Sequence, residues 1–365
     1  MKKIWEILLL LALLAACAAP GCAEIGFAEV NREGVNFRKA PGGEFIARFD
    51  APQSVYVFEE KTVDGKLWCH VYTFVGKRTR DGWIRGDMLR FLSDEFYDVV
   101  SVQAGDHYVT GLRADGTVAI MGDDMPHLPC IATVRSWRNI AQVTSSTCSV
   151  YALTRDGTLM TVGRNNAYGT EKAAKLCGNE PILMDADGRI MPQTWRWAEE
   201  GVFPSAEEGL EALGDARCVK ALGCERVLFG ALTTDGRLLC VGEMKHLQSS
   251  FVHAPYVDAD MYWDSIIALR QDGRVDAAGR SSAWNAGLRD VSGWMDVVKV
   301  AAGAQHLLGL RADGTVYYAG DDERHARQVA QWTNVKDIDA GNGTSIALMA
   351  DGSVAMAGAY TSYER

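Results

Sequence analysis

The sequence predicts an all-β protein: a propeller-like array of short repeated sheets, preceded by a separate small β domain. Three observations carry this expectation. First, a template of small–Leu–x–x–Asp–Gly–x–[Val/Leu]–x–x–x–Gly occurs six times. Second, short alternating apolar runs flank each Asp-Gly pair, the pattern of a hairpin with one buried face. Third, residues 34–92 show the same short runs and turn signals but no repeat. With 365 residues, 48% hydrophobic and 23% charged, the chain has globular composition and length for one large and one small domain.

The N-terminus reads as a targeting segment, residues 1–23. "MKK" is a basic start, and Ile7–Ala16 is an apolar run too short to span a bilayer. Leu14-Ala15-Ala16-Cys17 resembles the lipobox of bacterial lipoproteins, which makes Cys17 the candidate lipid attachment site. The alternative is a plain secretory signal cut at a small residue, for example after Ala23. Both readings place the protein outside the cytoplasm, lipid-anchored or secreted. Net charge is −10, and the only basic run is "GKRTR" at Gly76–Arg80, so nucleic acid is not an expected partner. The membrane is expected as a partner only through a lipid anchor, and the chain is expected to be a monomer.

Seven of the nine cysteines lie beyond this segment, at positions 69, 130, 148, 177, 218, 224 and 240. There is no C-x-x-C, so neither zinc nor redox chemistry is indicated. Buried free thiols are expected, with one local disulfide among Cys218, Cys224 and Cys240 as the alternative.

Residues 24–92 form the small domain. "GVNFRKAPGGEFIARF" reads as strand, Pro-Gly-Gly turn, strand; "SVYVFEE", "LWCHVYTFVG" and "DGWIRGDML" follow. Val35-Asn36-Phe37-Arg38, Pro41-Gly42, Trp68, Val71, Gly82-Trp83-Ile84 and Met88-Leu89 resemble a bacterial SH3-like domain, a small β-barrel. The chain departs from that pattern at "APQ", Ala51–Gln53, where a Lys-Gly turn is usual. The resemblance implies proximity to the cell wall and a ligand platform at Trp68 and Trp83. Read from the residues, both are core aromatics, because a domain this small depends on every large hydrophobe.

Residues 93–365 carry the repeat. Its copies are Leu112, Asp115, Gly116, Gly122; Leu153, Asp156, Gly157, Gly163; Leu232, Asp235, Gly236, Gly242; Leu269, Asp272, Gly273, Gly279; Leu310, Asp313, Gly314, Gly320; and Leu348, Asp351, Gly352, Gly358. The Asp residues are spaced by 41, 79, 37, 41 and 38, so one degenerate copy is hidden in the long interval, at Asp187-Gly188. Trp137, Trp294 and Trp332 precede their Asp by 19 residues, with Phe96 in that place in the first copy. Each unit reads as two strands, a tight Asp-Gly turn with Gly at positive φ, and a third strand. A period near 40 with several strands per unit is that of a propeller blade. The small residue before each Leu marks a close approach of another chain segment.

"SGWMDVVKVAAGAQHLLGLRADGTVYYAGDD" resembles the repeat of the regulator of chromosome condensation family, and the likeness extends over about residues 96–361. It implies a seven-bladed β-propeller. Only seven residues follow Gly358, so the last blade is expected to lack its outer strand, with Arg90–Tyr97 supplying it. The degenerate unit, Glu171–Asp215, carries Trp195, Trp197 and a capping box at Ser205 and Glu208 that predicts a short helix over Ala206–Leu213. It is either drift in one blade or a binding surface, with Trp195 and Trp197 as binding candidates.

No catalytic motif is present: no G-x-S-x-G, Walker loop or H-E-x-x-H. No catalytic residue, cofactor or metal is expected. His306 opens one repeat, but its equivalents are Tyr108, Ser149, Leu228, Ser265 and Thr344, so it is a strand position. "GDDMPH" and "GDDERH" echo each other as metal candidates, yet read better as turns. These readings point to a non-enzymatic exported envelope protein that binds a protein or a cell-wall glycan or peptide. The alternative is a polysaccharide-acting enzyme or an enzyme inhibitor. The enzyme reading requires carboxylates converging at one face.

Overall fold

A computed structural model describes residues 26–30, 32–49, 54–75, 78–106, 108–122, 130–146, 149–163, 172–178, 182–191, 211, 213–224, 227–262, 265–279 and 290–358. The chain divides into two compact units, Met1–Phe91 and Leu92–Arg365.

In the first unit, β1 (Gly26–Val30), β2 (Val35–Arg38), β3 (Phe45–Phe49), β4 (Ser54–Val63), β5 (Lys66–Val75), β6 (Arg78–Arg85) and β7 (Leu89–Phe91) form one antiparallel sheet. Their order is β3-β2-β6-β5-β4-β1-β7. The β2–β3 turn closes through Lys39 N–H donating to Glu44 O, with Gly42 at positive φ. Alternation along the strands sends Val35, Phe37, Val55, Val57, Cys69, Val71 and Ile84 into one core, as a half-buried sheet requires.

The second unit is all-β with small antiparallel sheets, as a propeller requires. Its strands are β8 (Val99–Ala104), β9 (Tyr108–Arg113), β10 (Val118–Gly122); β11 (Ile140–Ser145), β12 (Ser149–Thr154), β13 (Leu159–Gly163); β14 (Lys175–Cys177), β15 (Ile182–Met184); β16 (Cys218–Cys224), β17 (Val227–Thr233), β18 (Leu238–Cys240); β19 (Tyr256–Tyr262), β20 (Ser265–Arg270), β21 (Val275–Gly279); β22 (Val297–Ala302), β23 (His306–Arg311), β24 (Val316–Gly320); and β25 (Val335–Ala340), β26 (Thr344–Met349), β27 (Val354–Gly358). Each sheet packs against the next in chain order, and β8 packs against β25 and β26.

The repeat signature explains this stacking. The Asp-Gly turns are tight three-residue loops. Arg113 N–H donates to Thr117 O and Gly116 N–H to Arg113 O, and the pattern recurs at Arg311–Thr315. Only Gly takes positive φ, between 78° and 85° in the seven copies. The Asp side chain instead caps the loop: Thr117 N–H and Oγ1 donate to Asp115 Oδ1, and Thr315 does the same to Asp313. The turn Gly also reaches the next sheet. Gly116, Gly157, Gly188, Gly236, Gly273 and Gly314 each accept, at the carbonyl, a backbone N–H that leads into the following sheet. Gly188 behaves like the other five, so the degenerate copy retains its role as a link.

The aromatic marker and the small residue meet. A Cβ on Gly309 would lie 2.7 Å from Trp294, and one on Gly111 would lie 2.9 Å from Phe96. Trp137, Trp294 and Trp332 are buried between the sheet they precede and the one before it. Two residues after each aromatic stands an Asn or Asp with positive φ (Asp98, Asn139, Asp296, Asn334), whose carbonyl accepts from the hairpin of its own sheet.

One expectation is overturned. Arg90–Tyr97 does not add an outer strand to the last sheet. Leu89–Phe91 pairs with β1 in the first unit, and α1 (Leu92–Glu95) is helical. Glu95 is held by Arg135 at 3.0 Å and Arg113 at 3.6 Å, which fixes this helix beside the first two sheets. Among the described residues no sheet of this unit has a fourth strand. Short helices α2 (Cys130–Ser136), α3 (Gly242–Ser250) and α4 (Glu323–Val329) follow the third strands instead, and each buries apolar side chains.

Candidate functional site

The first strands of the sheets, β8, β11, β14, β16, β19, β22 and β25, jointly line a cavity of about 360 Å³. A β-bulge near the start of six of them precedes their third position, re-aiming the side chains that follow. The third positions of these six are Ser101, Gln142, Lys220, Asp258, Lys299 and Asp337, and β14 begins with Lys175; among the fifth are Gln103, Thr144, Asp260 and Asp339.

These polar side chains satisfy backbone groups of the next sheet. Asp258 Oδ2 accepts from Val300 N–H at 3.3 Å, and Asp260 Oδ2 accepts from Ala302 N–H at 2.9 Å. Gln142 Oε1 accepts from Leu176 N–H at 2.6 Å. The same bond joins the last sheet to the first, where Asp339 Oδ2 accepts from Ala104 N–H at 2.6 Å. A first strand has an unpaired edge, and these bonds supply its missing acceptors.

Lysines neutralise the carboxylates. Lys220 Nζ lies 3.4 Å from Asp258 and 3.5 Å from Asp260, and Lys299 bonds Asp337. Burial opposes the Lys220 charge, but Asp258 and Asp260 outweigh it and raise its pKa. Asp339 is 8% exposed; burial, reinforced by Asp260, pushes it up to about 7 against the pull of Ala104 N–H and Lys299. Lys175 bonds the Val219 carbonyl. Each Asp facing the cavity is thus already engaged. Among the described residues no group of three His, Cys, Asp or Glu side chains could hold a metal ion.

The second position of the first strand points outward and is often apolar. Val100, Val219, Val257 and Val298 are 39–55% exposed, and the equivalent Ala141 lines the cavity. An exposed apolar collar therefore accompanies the charged cavity. Sequence reading missed both, because its template was anchored on the second and third strands. The signal was there: a polar residue stands 14 positions before Asp115, Asp156, Asp272, Asp313 and Asp351.

The other sequence candidates fall elsewhere. Trp195, Trp197, Cys17 and most of Ala206–Leu213 lie outside the described residues, as does "DDMPH" of the first metal echo. In the second echo, Asp322 accepts from His325 N–H at the start of α4, ordinary capping chemistry. His306 and His325 both contact Ser345 Oγ through Nε2, at 2.8 and 2.7 Å. All three are at most 2% exposed, and the trio joins two sheets. Trp68 and Trp83 are buried in the first unit, where Trp83 stacks on His70 at 4.7 Å. Cys69, Cys130, Cys177, Cys218 and Cys240 are free and buried, so no Cys218–Cys240 bridge forms.

With this geometry in hand, one comparison bears on the repeats. Residues 297–325 match the Regulator of chromosome condensation (RCC1) repeat. That stretch runs from β22 through the Asp313-Gly314 turn into α4. No curated protein matches. Solved structures that resemble the chain include the entire ectodomain of the Physcomitrella patens receptor kinase CR4, with 16% identity, 72% of this chain and 64% of that chain covered, and a TM-score of 0.38. The chain thus spans under two thirds of that ectodomain. The CRINKLY WD40 ectodomain of the Arabidopsis thaliana receptor kinase ACR4 shows 10% identity, coverage of 83% and 96%, and a TM-score of 0.41. Yeast RCC1 (Prp20) bound to Kap60 shows 16% identity, coverage of 70% and 69%, and a TM-score of 0.37.

Proposed function

We propose that this is a non-enzymatic, exported binding or scaffold protein of the cell envelope. In this reading the second unit is a seven-bladed propeller of chromosome-condensation-regulator-type repeats, and the first is an SH3-like barrel. Cys17 carries a lipid, or the chain is secreted. Its partner is a protein or a cell-wall glycan or peptide.

The observation that carries the reading is the state of the cavity carboxylates. Asp258, Asp260 and Asp339 converge there, with Asp337 bonded to the lining Lys299, and converging carboxylates are what an enzyme acting on polysaccharide would require. Yet each is bound to a lysine, a backbone N–H or both. A general acid or nucleophile must exchange a proton or bond with substrate. A carboxylate held by the neighbouring sheet serves the ring. The exposed valines on the first strands that line this cavity support docking instead, since clustered exposed apolar side chains mark contact surfaces.

A photo-crosslinking residue at Val257 or Val298 in the full chain, expressed in a bacterial envelope, should trap one discrete adduct. The same residue at exposed Lys336 of the last first-strand should give less. Uniform labelling at all three sites would sink the docking reading. Hydrolysis of an envelope glycan that is lost in Asp260→Asn would replace it with the enzyme reading. For export, Cys17→Ala should abolish lipid labelling; unchanged labelling would refute attachment there.

A further inference from the structure

The first unit holds a second site that the reading above does not use. An open groove of about 490 Å³ runs beside β2, walled by Trp68 and Met88. Four cations line it, Arg32, Arg38, Lys66 and Arg85, against one acid, Glu33. Asp87 offsets Arg85 through an ion pair, and Arg38 is steadied by donating to Gly43 O at 2.7 Å. The groove stays net positive on a chain of charge −10. Residues 24–91 carry 11 Lys and Arg against 10 Asp and Glu, whereas residues 92–365 carry 24 against 36. Positive potential is thus concentrated in the smaller unit.

The backbone adds a second observation. β2 pairs with β3 along its length, Val35 to Arg38. On its other side it meets β6 at one position only, Arg38 with Trp83. Before that point the two strands part, and Val35 and Asn36 line the groove. A strand edge open to a cleft is a template for an added strand. Side chains of an added strand alternate, so one set would meet the guanidinium and ammonium groups while the other faced solvent. Arg suits carboxylates because its fork donates two parallel N–H bonds to the two oxygens.

We propose that this groove binds an extended acidic peptide segment of a partner protein, by strand addition to β2 and by ion pairing to Arg32, Arg38, Lys66 and Arg85. The site belongs to the first unit and the valine collar to the second, so either can fail alone.

The test uses the full chain and a fluorescein-labelled octapeptide alternating Glu with Val and Leu, read by anisotropy. Its twin carries Gln for Glu. Binding of the acidic peptide should weaken with salt, and the Gln twin should bind at least about tenfold more weakly. The double variant Arg32→Ser/Lys66→Ser should lose about tenfold or more, while Lys66→Arg should retain affinity. Both residues are exposed or lie at a strand start, so unchanged circular dichroism is expected and serves as the folding control. A peptide N-methylated on alternate residues should also bind weakly if the strand edge is used. Equal affinity for the Gln twin, an unaffected double variant, or an unaffected N-methylated peptide would overturn the proposal. So would competition by oligogalacturonate tighter than that of the peptide at equal carboxylate concentration, which would assign the groove to an acidic glycan.

Discussion

Replacing Asp339 with Asn should stabilise the second unit at pH 8 and leave its stability unchanged near pH 4. Asp339 sits where the last sheet meets the first, buried, beside Asp260, and accepting from Ala104 N–H. Burial and like charge raise its pKa from 3.8 to about 7. A carboxyl raised in the folded state favours folding fully below its unfolded value. That contribution is lost as pH rises through the folded value, because the unfolded chain releases the proton first. At ~1.4 kcal/mol per pH unit, the charge costs about 4 kcal/mol above pH 7. Asn keeps the shape and can still accept the Ala104 bond. The value of about 7 is already net of the attraction to Lys299, so about 4 kcal/mol is the ceiling on the gain. The assay is urea unfolding of both proteins at pH 4 and pH 8, with hydrogen exchange of peptides from β8 and β25 to localise the effect. Comparing the two proteins at one pH cancels every other titrating group. A variant less stable than the parent at pH 8, or an offset equal at both pH values, would refute the reasoning.

Three further outcomes follow from the same geometry. Lys299→Met strands Asp337, whose side chain is only 18% exposed, and should cost about 1–3 kcal/mol; Lys299→Met/Asp337→Leu should recover most of it in the same unfolding assay. Gly309→Ala pushes a methyl group into Trp294 and should cost about 1–3 kcal/mol, with a change in near-ultraviolet circular dichroism from the displaced indole. His325 has its pKa lowered from 6.5 to about 4 by burial, so folding loses stability as pH falls from 6.5 toward 4, by about 3 kcal/mol at the end of that window. His325→Asn should flatten this acid limb, and an unaltered limb would show that another group controls it.

Much of the fold was legible because the repeat encodes contacts made within a few dozen residues. Gly314 was readable as a turn residue since only glycine takes φ near 80° without strain. Gly309 and Trp294 were readable as a small residue and a large one, although their meeting face to face was not. The strand assigned to Arg90–Tyr97 failed for a different reason. The sequence there is short and apolar at intervals, which fits a strand or a helical turn equally. The choice rested on β1, which pairs with Leu89–Phe91, and on Arg135, which holds Glu95, 40 residues away.

By itself the sequence determined the β class, the period, the position of each Asp-Gly turn and the aromatic wedges, because these depend on local geometry and on apolar spacing. Only the tertiary structure decided that Lys220, Asp258, Asp260, Lys299 and Asp339 share one cavity. Those residues come from four first strands across 120 positions of chain, and each looks like an ordinary polar strand residue in its own repeat. They acquire a common role because stacking the sheets brings the unpaired edge of one strand against the side chains of the one before it. A buried N–H must then find an acceptor, and a buried acceptor that carries charge must find a lysine.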